Sequence, residues 1–286
     1  MKIASIDIGT NAVKSKTFKT TPISIEFLDG KRSAFRLGSD VYNNGFIDTR
    51  KLEKLVRILE KYQRNFEKDK IKIYEIVATS AFRDTQNSED ARRYVENKIE
   101  HPIRIISGLE EAKLIKLHPK AQSKKLKVFV DVGGGSTEIY INEGDQYVIQ
   151  SFQLGAVRGM HGQNDPDEWR RLKKWLKKQS KIEEMIGLGG NIRSFFKIHE
   201  TGKMKTKDFI RYTCELEKLT IKEKIKNHHL SIDRADIIDD ALKIFLEIIK
   251  ILGIKNIKST KWGVSDSIAV KTYHELYSKK ISITRN

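Results

Sequence analysis

The chain has few of the residues that cross-link a protein or interrupt its secondary structure: its 286 residues include one cysteine, four prolines and 18 glycines. A lone cysteine excludes an internal disulfide and a cysteine-rich zinc site, and it is typical of proteins of the reducing cytoplasm. We interpret Cys214 as a small buried apolar side chain. Little proline and glycine, with 38% hydrophobic residues, exclude a disordered or fibrous chain and predict a globular one.

Long apolar runs and acidic charge are also scarce. No segment approaches the roughly 18 consecutive apolar residues of a membrane span, and Asp7 interrupts the N-terminal apolar run, so we expect neither a membrane helix nor a signal peptide. Lysine and arginine total 55 against 38 aspartates and glutamates, a net charge of +17. Charge of this sign attracts polyanions, although a lysine-rich solvated surface explains it equally well.

Two stretches of the chain repeat one pattern. Residues 3–11 and 128–138 each consist of an apolar β-forming run that ends in Asp-apolar-Gly and continues with small polar residues. A second similarity follows in the same order, between residues 35–38 and residues 152–155, where both stretches contain Leu-Gly. The repeats predict duplicated α/β modules, each of which opens with a strand, a tight turn and a second strand.

The residues after the second glycine run decide what kind of loop it is. Residues 138–141 are Glu-Ile-Tyr-Ile, which predicts a strand and excludes the helix that follows a P-loop or a dinucleotide-binding loop. We therefore predict two glycine-rich β-hairpins whose bare backbone N–H groups approach phosphate closely. Their candidate phosphate-binding residues are Gly9, Thr10 and Asn11 in the first, and Gly133, Gly134, Gly135 and Ser136 in the second.

Ordinary hairpin turns are the alternative. Asp7 and Asp131 weigh against them, because a carboxylate at the end of a buried strand needs a partner or a cation.

Strands and helices alternate along the chain, which predicts an α/β architecture. Residues 48–66 predict a helix with Asp48 at its N-cap, residues 80–87 a loop, and residues 208–228 one long helix. The lysine-rich segment 119–127 is the best linker candidate. It predicts one domain over residues 1–122 and a second over 123–286, whose last helix is free to pack back on the first domain.

Further blocks at residues 78–84, 105–112, 154–158 and 189–191 complete a family pattern. Together with the hairpins, they resemble the exopolyphosphatases and guanosine pentaphosphate phosphohydrolases of the actin and sugar-kinase-like superfamily. The resemblance implies two actin-like (ribonuclease H-like) domains with an active-site cleft between them. It also implies Mg²⁺-dependent hydrolysis, with Mn²⁺ as a substitute, of terminal phosphate from polyphosphate or guanosine pentaphosphate.

The family also bears on partners. A homodimer is expected by analogy, and a role in the stringent response is implied. We expect neither a membrane nor nucleic acid as a partner, and a cytoplasmic location.

Adjacent glutamates in the block 105–112 receive different roles. Ser107 and Glu110 have the spacing of a capping box, which gives Glu110 a structural role and leaves Glu111 available for chemistry. In the family, the second glutamate matches the proposed base that activates water, so Glu111 is the candidate catalytic residue. A first-turn glutamate that merely complements the helix dipole is the alternative.

The metal candidates border the hairpin turns. Asp131 and Glu138 flank the second glycine run, and hard oxygen ligands beside a phosphate loop suit Mg²⁺. The family uses the matching carboxylates in this way. Asp7 is expected either to add a water-mediated contact or to accept hydrogen bonds from its own hairpin.

Two arginines are candidate phosphate ligands, because a guanidinium fork binds phosphate oxygens in a bidentate manner. Arg83 follows a predicted strand, and its alternative is a surface ion pair with Asp84 or Asp90. Arg158 follows the second Leu-Gly and is expected to act similarly.

The chain departs from the family pattern near its end. Asp239-Asp240 replaces Pro-Gly, Ser265-Asp266-Ser267 replaces Arg-Glu-Gly, and longer members continue with additional helical domains. These departures bear on the chain length of the substrate and on processivity. They leave two alternatives open: an ATP-dependent kinase or ATPase of the superfamily, and a binding protein for nucleotide or polyphosphate without turnover.

Overall fold

The computed structural model describes residues 1–283, which divide into two compact units. Unit 1 comprises Met1–Ser107 and the C-terminal segment from Val264, and unit 2 comprises Gly108–Gly263. This division differs from the predicted boundary at residues 122/123. The lysine-rich segment lies within unit 2, because Ile115 and Ala121 are buried in the same core cluster as Phe129. The predicted cleft between the domains stays a prediction.

The elements alternate along the chain. In the N-terminal part of unit 1 they are β1 (Lys2–Ile8), β2 (Ala12–Thr21), β3 (Ser24–Ala34), α1 (Leu37–Asn44), α2 (Thr49–Lys68), β4 (Ile73–Ala78), α3 (Ser80–Asp84), α4 (Ser88–Ile99) and β5 (Ile103–Ile105). In the first half of unit 2 they are α5 (Gly108–Leu114), 3₁₀ turns at Ile115–Leu117 and Pro119–Gln122, β6 (Lys127–Val132), β7 (Thr137–Glu143), β8 (Gln146–Phe152), α6 (Ala156–Met160) and α7 (Pro166–Leu176).

Unit 2 continues with further strands and helices, and the last helix returns to unit 1. These elements are β9 (Glu184–Leu188), α8 (Gly189–Ile198), β10 (Lys203–Lys205), α9 (Thr206–Glu217), α10 (Ile221–His228), α11 (Ile232–Ala235), α12 (Ile238–Leu252), β11 (Asn256–Ser259) and α13 (Val264–Ile283).

Each unit contains its own β-sheet, and the two sheets have the same arrangement of strands. Within the described residues, the sheet of unit 1 has the order β3-β2-β1-β4-β5, and that of unit 2 has the order β8-β7-β6-β9-β11 with β10 added outside β11. In each, the first two pairings are antiparallel and the next are parallel. This correspondence confirms the predicted duplication.

Local sequence signals explain α2, the first long helix of the chain. The Asp48 side chain accepts a hydrogen bond of 2.7 Å from the backbone N–H of Lys51, which confirms it as the N-cap of α2. The apolar face of α2 includes Leu52, Leu55 and Leu59, all buried. Helix α2 therefore forms where capping and periodicity agree.

Three predictions about local structure are wrong. Residues 80–84 form helix α3 and are not a loop. The predicted long helix divides into α9 and α10, because Thr220 begins a new capping box with Glu223. Cys214 is exposed, since it lies on the solvent face of α9 while Thr213 and Leu216 face inward.

Among residues 1–283, no helix has both the length and the apolar character needed to cross a bilayer.

Candidate functional site

The two glycine hairpins have the same backbone geometry. The Gly9 N–H donates to the Ala12 carbonyl at 3.1 Å, and the Gly133 N–H donates to the Ser136 carbonyl at 2.9 Å. A Cβ atom added at Gly9 or Gly133 would lie 3.1 Å from the same carbonyl oxygen in each case. Glycine is therefore favoured at both positions because the turn closes directly over it.

Different side chains face the two aspartates across these hairpins. Asp7 pairs in register with Lys14, and Asp131 with Glu138; each partner is the seventh residue after its aspartate. The Lys14 Nζ lies 3.0 Å from Oδ2 of Asp7, which is 2% exposed. The first aspartate therefore has a cation within its own hairpin, and the second is opposed by another carboxylate.

The two carboxylates of unit 2 lie in a tightly packed polar setting. Glu138 is 1% exposed, and its Oε1 accepts a hydrogen bond of 2.9 Å from the Ser151 hydroxyl on β8. Gly189 has a φ of +83°, and a Cβ added there would overlap the Asp131 carboxylate. The absence of a side chain at Gly189, the first residue of α8, thus leaves room for the Asp131 carboxylate near the end of β6.

Arg234, which is not among the predicted site residues, contacts the block Gly189-Gly190-Asn191. The Arg234 Nη1 donates to the Asn191 side-chain oxygen at 2.5 Å, and the Asn191 amide donates to the Val132 carbonyl at 2.8 Å. A Cβ at Gly190 would overlap the Arg234 guanidinium. Arg234 is thereby fixed beside the end of β6.

The second Leu-Gly segment supports the second hairpin directly. The N–H groups of Ala156 and Val157 donate to the carbonyls of Gly133 and Gly134 at 3.0 and 2.7 Å. A Cβ at Gly155 would lie 2.5 Å from the Gly134 carbonyl oxygen, so only glycine fits there. The start of α6 therefore packs backbone to backbone against the glycine turn.

Arg158, on α6, reinforces the same turn. Its Nε donates to the Gly135 carbonyl at 2.8 Å. At least one N–H group of Arg158, a predicted phosphate ligand, thus stabilises the hairpin and is directed at the protein backbone.

The first Leu-Gly segment contacts the first hairpin in the same way. The Gly38 N–H donates to the Thr10 carbonyl at 2.9 Å, and the Arg36 N–H donates to the Asn11 carbonyl at 3.0 Å. Thr10 and Asn11 are both buried, and the Thr10 hydroxyl lies 2.6 Å from the Ser80 hydroxyl at the start of α3. In both halves of the chain, the glycine hairpin and the Leu-Gly segment that follows it therefore form one structural motif.

Arg83 and Glu111 lie on short helices. The Arg83 Nη1 donates to the Ile106 carbonyl at 2.8 Å, which anchors the half-buried side chain between α3 and the end of β5. Glu111 is half-buried in the first turn of α5, which packs against β7 and β8. Since α5 begins at Gly108, Ser107 occupies the N-cap position, and the capping box with Glu110 stays a prediction.

The predicted site residues divide between the two units. Unit 1 contains Asp7, Gly9, Thr10, Asn11 and Arg83, and unit 2 contains Glu111, Asp131, Gly133, Gly134, Gly135, Ser136, Glu138 and Arg158. No group of three or more His, Cys, Asp or Glu side chains in the described part of the chain is arranged to hold a metal. A metal would therefore depend on the pair Asp131 and Glu138, with further oxygens from substrate and water.

The aspartates that replace Pro-Gly have structural partners. Asp239 forms an ion pair with Lys224, whose side chain is almost fully buried. Asp240 lies against Gly159 on α6, and burial, together with the charge of Asp239, raises the pKa of the Asp240 carboxyl. The substitution thus introduces acidic groups in the first turn of α12, where the helix dipole favours them.

The residues that replace Arg-Glu-Gly fasten α13 to the sheet of unit 1. Asp266 accepts an ion-pair contact of 2.5 Å from Lys16 on β2. The Ser5 hydroxyl on β1 donates to the Ser265 carbonyl at 2.7 Å.

One cavity lies away from all these residues. It measures about 680 Å³ and lies against β10 and β11, where Lys203, Lys205 and Lys258 are among its lining residues. None of the predicted site residues lines it.

Comparison with known proteins gives a family and a fold. The model of the Ppx/GppA phosphatase family matches residues 13–276. A guanosine-5'-triphosphate,3'-diphosphate pyrophosphatase of Pseudoalteromonas atlantica is 27% identical over 160 residues, which cover 54% of this chain and 31% of that protein. The chain thus spans about a third of the length of this curated relative.

Solved structures extend the likeness over the whole fold. The Aquifex aeolicus member of the Ppx/GppA family is 20% identical with a TM-score of 0.76, and the match covers 100% of this chain and 99% of that one. An exopolyphosphatase from Cytophaga hutchinsonii is 19% identical with a TM-score of 0.83, over 96% and 98% of the two chains. The predicted class, α/β with two actin-like modules, is confirmed.

Proposed function

Because the chain belongs to the Ppx/GppA phosphatase family, we propose that it is a Mg²⁺-dependent phosphoanhydride hydrolase that releases terminal phosphate from inorganic polyphosphate, guanosine pentaphosphate or both. The observation that carries this proposal is the pairing of Asp131 with Glu138 across a glycine turn. Carboxylates placed beside backbone N–H groups suit a substrate that brings phosphate and a hard cation together.

The donor set of unit 2 fits Mg²⁺. Asp131 and Glu138 are hard oxygen ligands on one face of a strand pair, and like charges directly opposite each other in a ladder are destabilising unless a cation offsets them. Gly189 leaves room for the Asp131 carboxylate, and Ser151 orients Glu138. A Mg²⁺ held there would polarise the terminal phosphoryl group and offset its charge.

The remaining residues bind the substrate and position water. The hairpin N–H groups hold phosphate oxygens without reorganisation, because the Leu-Gly segments fix both turns. Arg83 and Arg158 contribute guanidinium charge, with Arg158 already oriented by the Gly135 carbonyl. Glu111, on a helix that packs over β7, orients water and accepts its proton as the phosphoanhydride bond breaks.

Phosphate release tests this function when it is measured side by side on polyphosphate, guanosine pentaphosphate and ATP, with and without Mg²⁺. We expect Mg²⁺-dependent release from at least one of the first two and much slower release from ATP. Transfer from ATP to a small acceptor would support a kinase instead. Tight binding of all three compounds without release would support a binding protein.

A further inference from the structure

Sheet edges in this chain differ in how well they are protected. Within the described residues, the two sheets end in four edge strands, of which β5 and β10 have only three residues each, and β8 is covered by α5. Strand β3 is different, since it has 11 residues and nearly all of them are exposed. A long exposed edge presents unpaired backbone groups to another strand, which natural proteins usually prevent.

Apolar side chains accompany this edge. Phe27 and Leu28 are 53% and 42% exposed, and Ile23, just before β3, is 93% exposed. The Phe27 ring lies over Gly30 on the same strand, 3.4 Å from the position of a Cβ atom there. Three neighbouring exposed apolar residues, two of them on the strand, indicate a contact surface more strongly than a single one does.

The charges of β3 complement themselves. The first half of the strand carries Glu26 and Asp29, and the second half carries Lys31 and Arg32. Antiparallel pairing with an identical strand brings the acidic half of each copy against the basic half of the other. Parallel pairing would place like charges together.

A β-bulge in β3 places Glu26 and Lys31 on the same face of the strand. Thr17 pairs with Asp29 and Phe18 with Phe27, so Leu28 is an extra residue in the ladder. Glu26 pairs with Lys19 and Lys31 with Ser15, and residues 15, 17 and 19 lie on one face of β2. Glu26 and Lys31 therefore share a face although they are five positions apart, so they can lie directly opposite each other in two antiparallel copies.

We propose that β3 is a self-association surface, where it pairs antiparallel with β3 of a second copy of this chain about a two-fold axis between Leu28 and Asp29. In this register, Glu26 of each copy lies opposite Lys31 of the other, and Phe27 lies opposite Gly30. The contact is isologous and joins the two five-stranded sheets of unit 1 edge to edge.

Charge reversal with mixing tests the register. We would measure the dimer dissociation constant of the full chain by sedimentation. In Glu26→Lys, both cross-copy pairs become Lys–Lys, and in Lys31→Glu both become Glu–Glu. Each variant should raise the dissociation constant on the order of 10- to 100-fold. An equimolar mixture of the two variants forms only attractive pairs across a mixed dimer, so it should associate about as tightly as the wild type.

Glu53→Lys is the matched control, since Glu53 is an exposed residue of α2 in the same unit. It makes the same charge change and should leave association unaltered. Circular dichroism should show that all three variants keep their fold, as expected for exposed positions. A monomeric wild type, association that neither reversal weakens, or a mixture that stays monomeric would each overturn the proposal.

Discussion

The β1–β2 hairpin of unit 1 and the β6–β7 hairpin of unit 2 share a backbone but oppose their aspartates with different charges. In unit 1, Lys14 lies 3.0 Å from Asp7, so the buried carboxylate is offset within the hairpin. In unit 2, the corresponding position is Glu138, and two carboxylates face each other. Duplication of one fold has therefore produced one hairpin whose aspartate faces a lysine and one whose aspartate faces a glutamate, and we propose that only the second holds a cation.

Backbone hydrogen bonds of the same type stabilise both hairpins. Each turn is held by N–H groups of a following Leu-Gly segment, through Gly38 in unit 1 and Ala156 in unit 2. The chemical difference therefore lies in a few side chains, and substitutions of those side chains test it without disturbing the frame.

The largest effect is expected at Glu111, in the unit that carries the carboxylate pair. Glu111→Gln keeps the size of the side chain and removes the proposed base, so kcat for phosphate release should fall on the order of 10²- to 10⁴-fold with little change in binding. Glu110→Gln is the control, because it lies on the same helical turn and should cost at most about 1 kcal/mol of stability. Full activity in both variants would contradict the hydrolytic mechanism, and the reverse pattern would exchange the two roles.

Paired aspartate substitutions compare the hairpins directly. Asp131→Asn removes a proposed metal ligand, so Mg²⁺-dependent activity should fall by about 10²- to 10³-fold, with a higher Mg²⁺ requirement. Asp7→Asn removes only the counter-ion of Lys14, and we expect a loss below about tenfold. Titration of phosphate release with Mg²⁺ measures both. Equal losses in the two variants would show that the hairpins share one metal-binding role.

Unit 2 should also show a distinct pH dependence of stability. His118 lies between the rings of Phe129 and Trp262, and burial, together with the charge of Lys120, lowers the pKa of its imidazole to about 4. Its Nδ1 accepts the backbone N–H of Lys120 at 3.0 Å, so Nε2 carries the proton and donates to Thr260 at 3.2 Å.

The pKa of His118 is lower in the folded chain than the ordinary value of 6.5, so the unfolded chain binds more protons between these values. His118 therefore does not lower the free energy of unfolding above pH 6.5. As the pH drops to 4, protonation of His118 in the unfolded chain lowers the free energy of unfolding by about 3 kcal/mol. His118→Gln should remove this part of the decline in urea unfolding between pH 7 and 4. An identical decline in the variant would contradict the assignment.

A smaller effect tests the support of the second hairpin. Gly155→Ala places a Cβ atom 2.5 Å from the Gly134 carbonyl oxygen, which should cost about 1–3 kcal/mol of stability through overpacking. Gly202→Ala is the control, because no atom lies within 4 Å of its added Cβ, and its stability should change by less than about 0.5 kcal/mol. Thermal unfolding would separate them, and equal melting temperatures would show that the turn does not need this glycine.

Local signals predicted the parts of the fold that depend on local physics. Buried apolar runs that end in Asp7 and Asp131 identified both hairpins, and Asp48 identified the start of α2. Strand β3 could not be found in this way, since an exposed strand has no buried face and leaves no apolar alternation. The break between α9 and α10 was readable, because Thr220 and Glu223 have capping-box spacing.

The candidate site was only partly readable for a related reason. Lys14 follows from hairpin symmetry, since the residue opposite each aspartate is seven positions later, and that spacing was available in the sequence. The contact between Gly155 and the glycine turn, and that between Arg234 and Asn191, join residues far apart in the chain. Tertiary packing alone brings these groups together.

Divalent-metal binding by isothermal titration tests the difference between the hairpins most directly, with Mn²⁺ and Mg²⁺ added to the wild type, Glu138→Lys and Lys14→Met. Glu138→Lys gives the second hairpin the charge pair of the first, and circular dichroism should confirm its fold. We expect metal binding by the wild type and Lys14→Met and its loss in Glu138→Lys. Binding that survives in Glu138→Lys, or that disappears in Lys14→Met, would contradict a cation site built on Asp131 and Glu138.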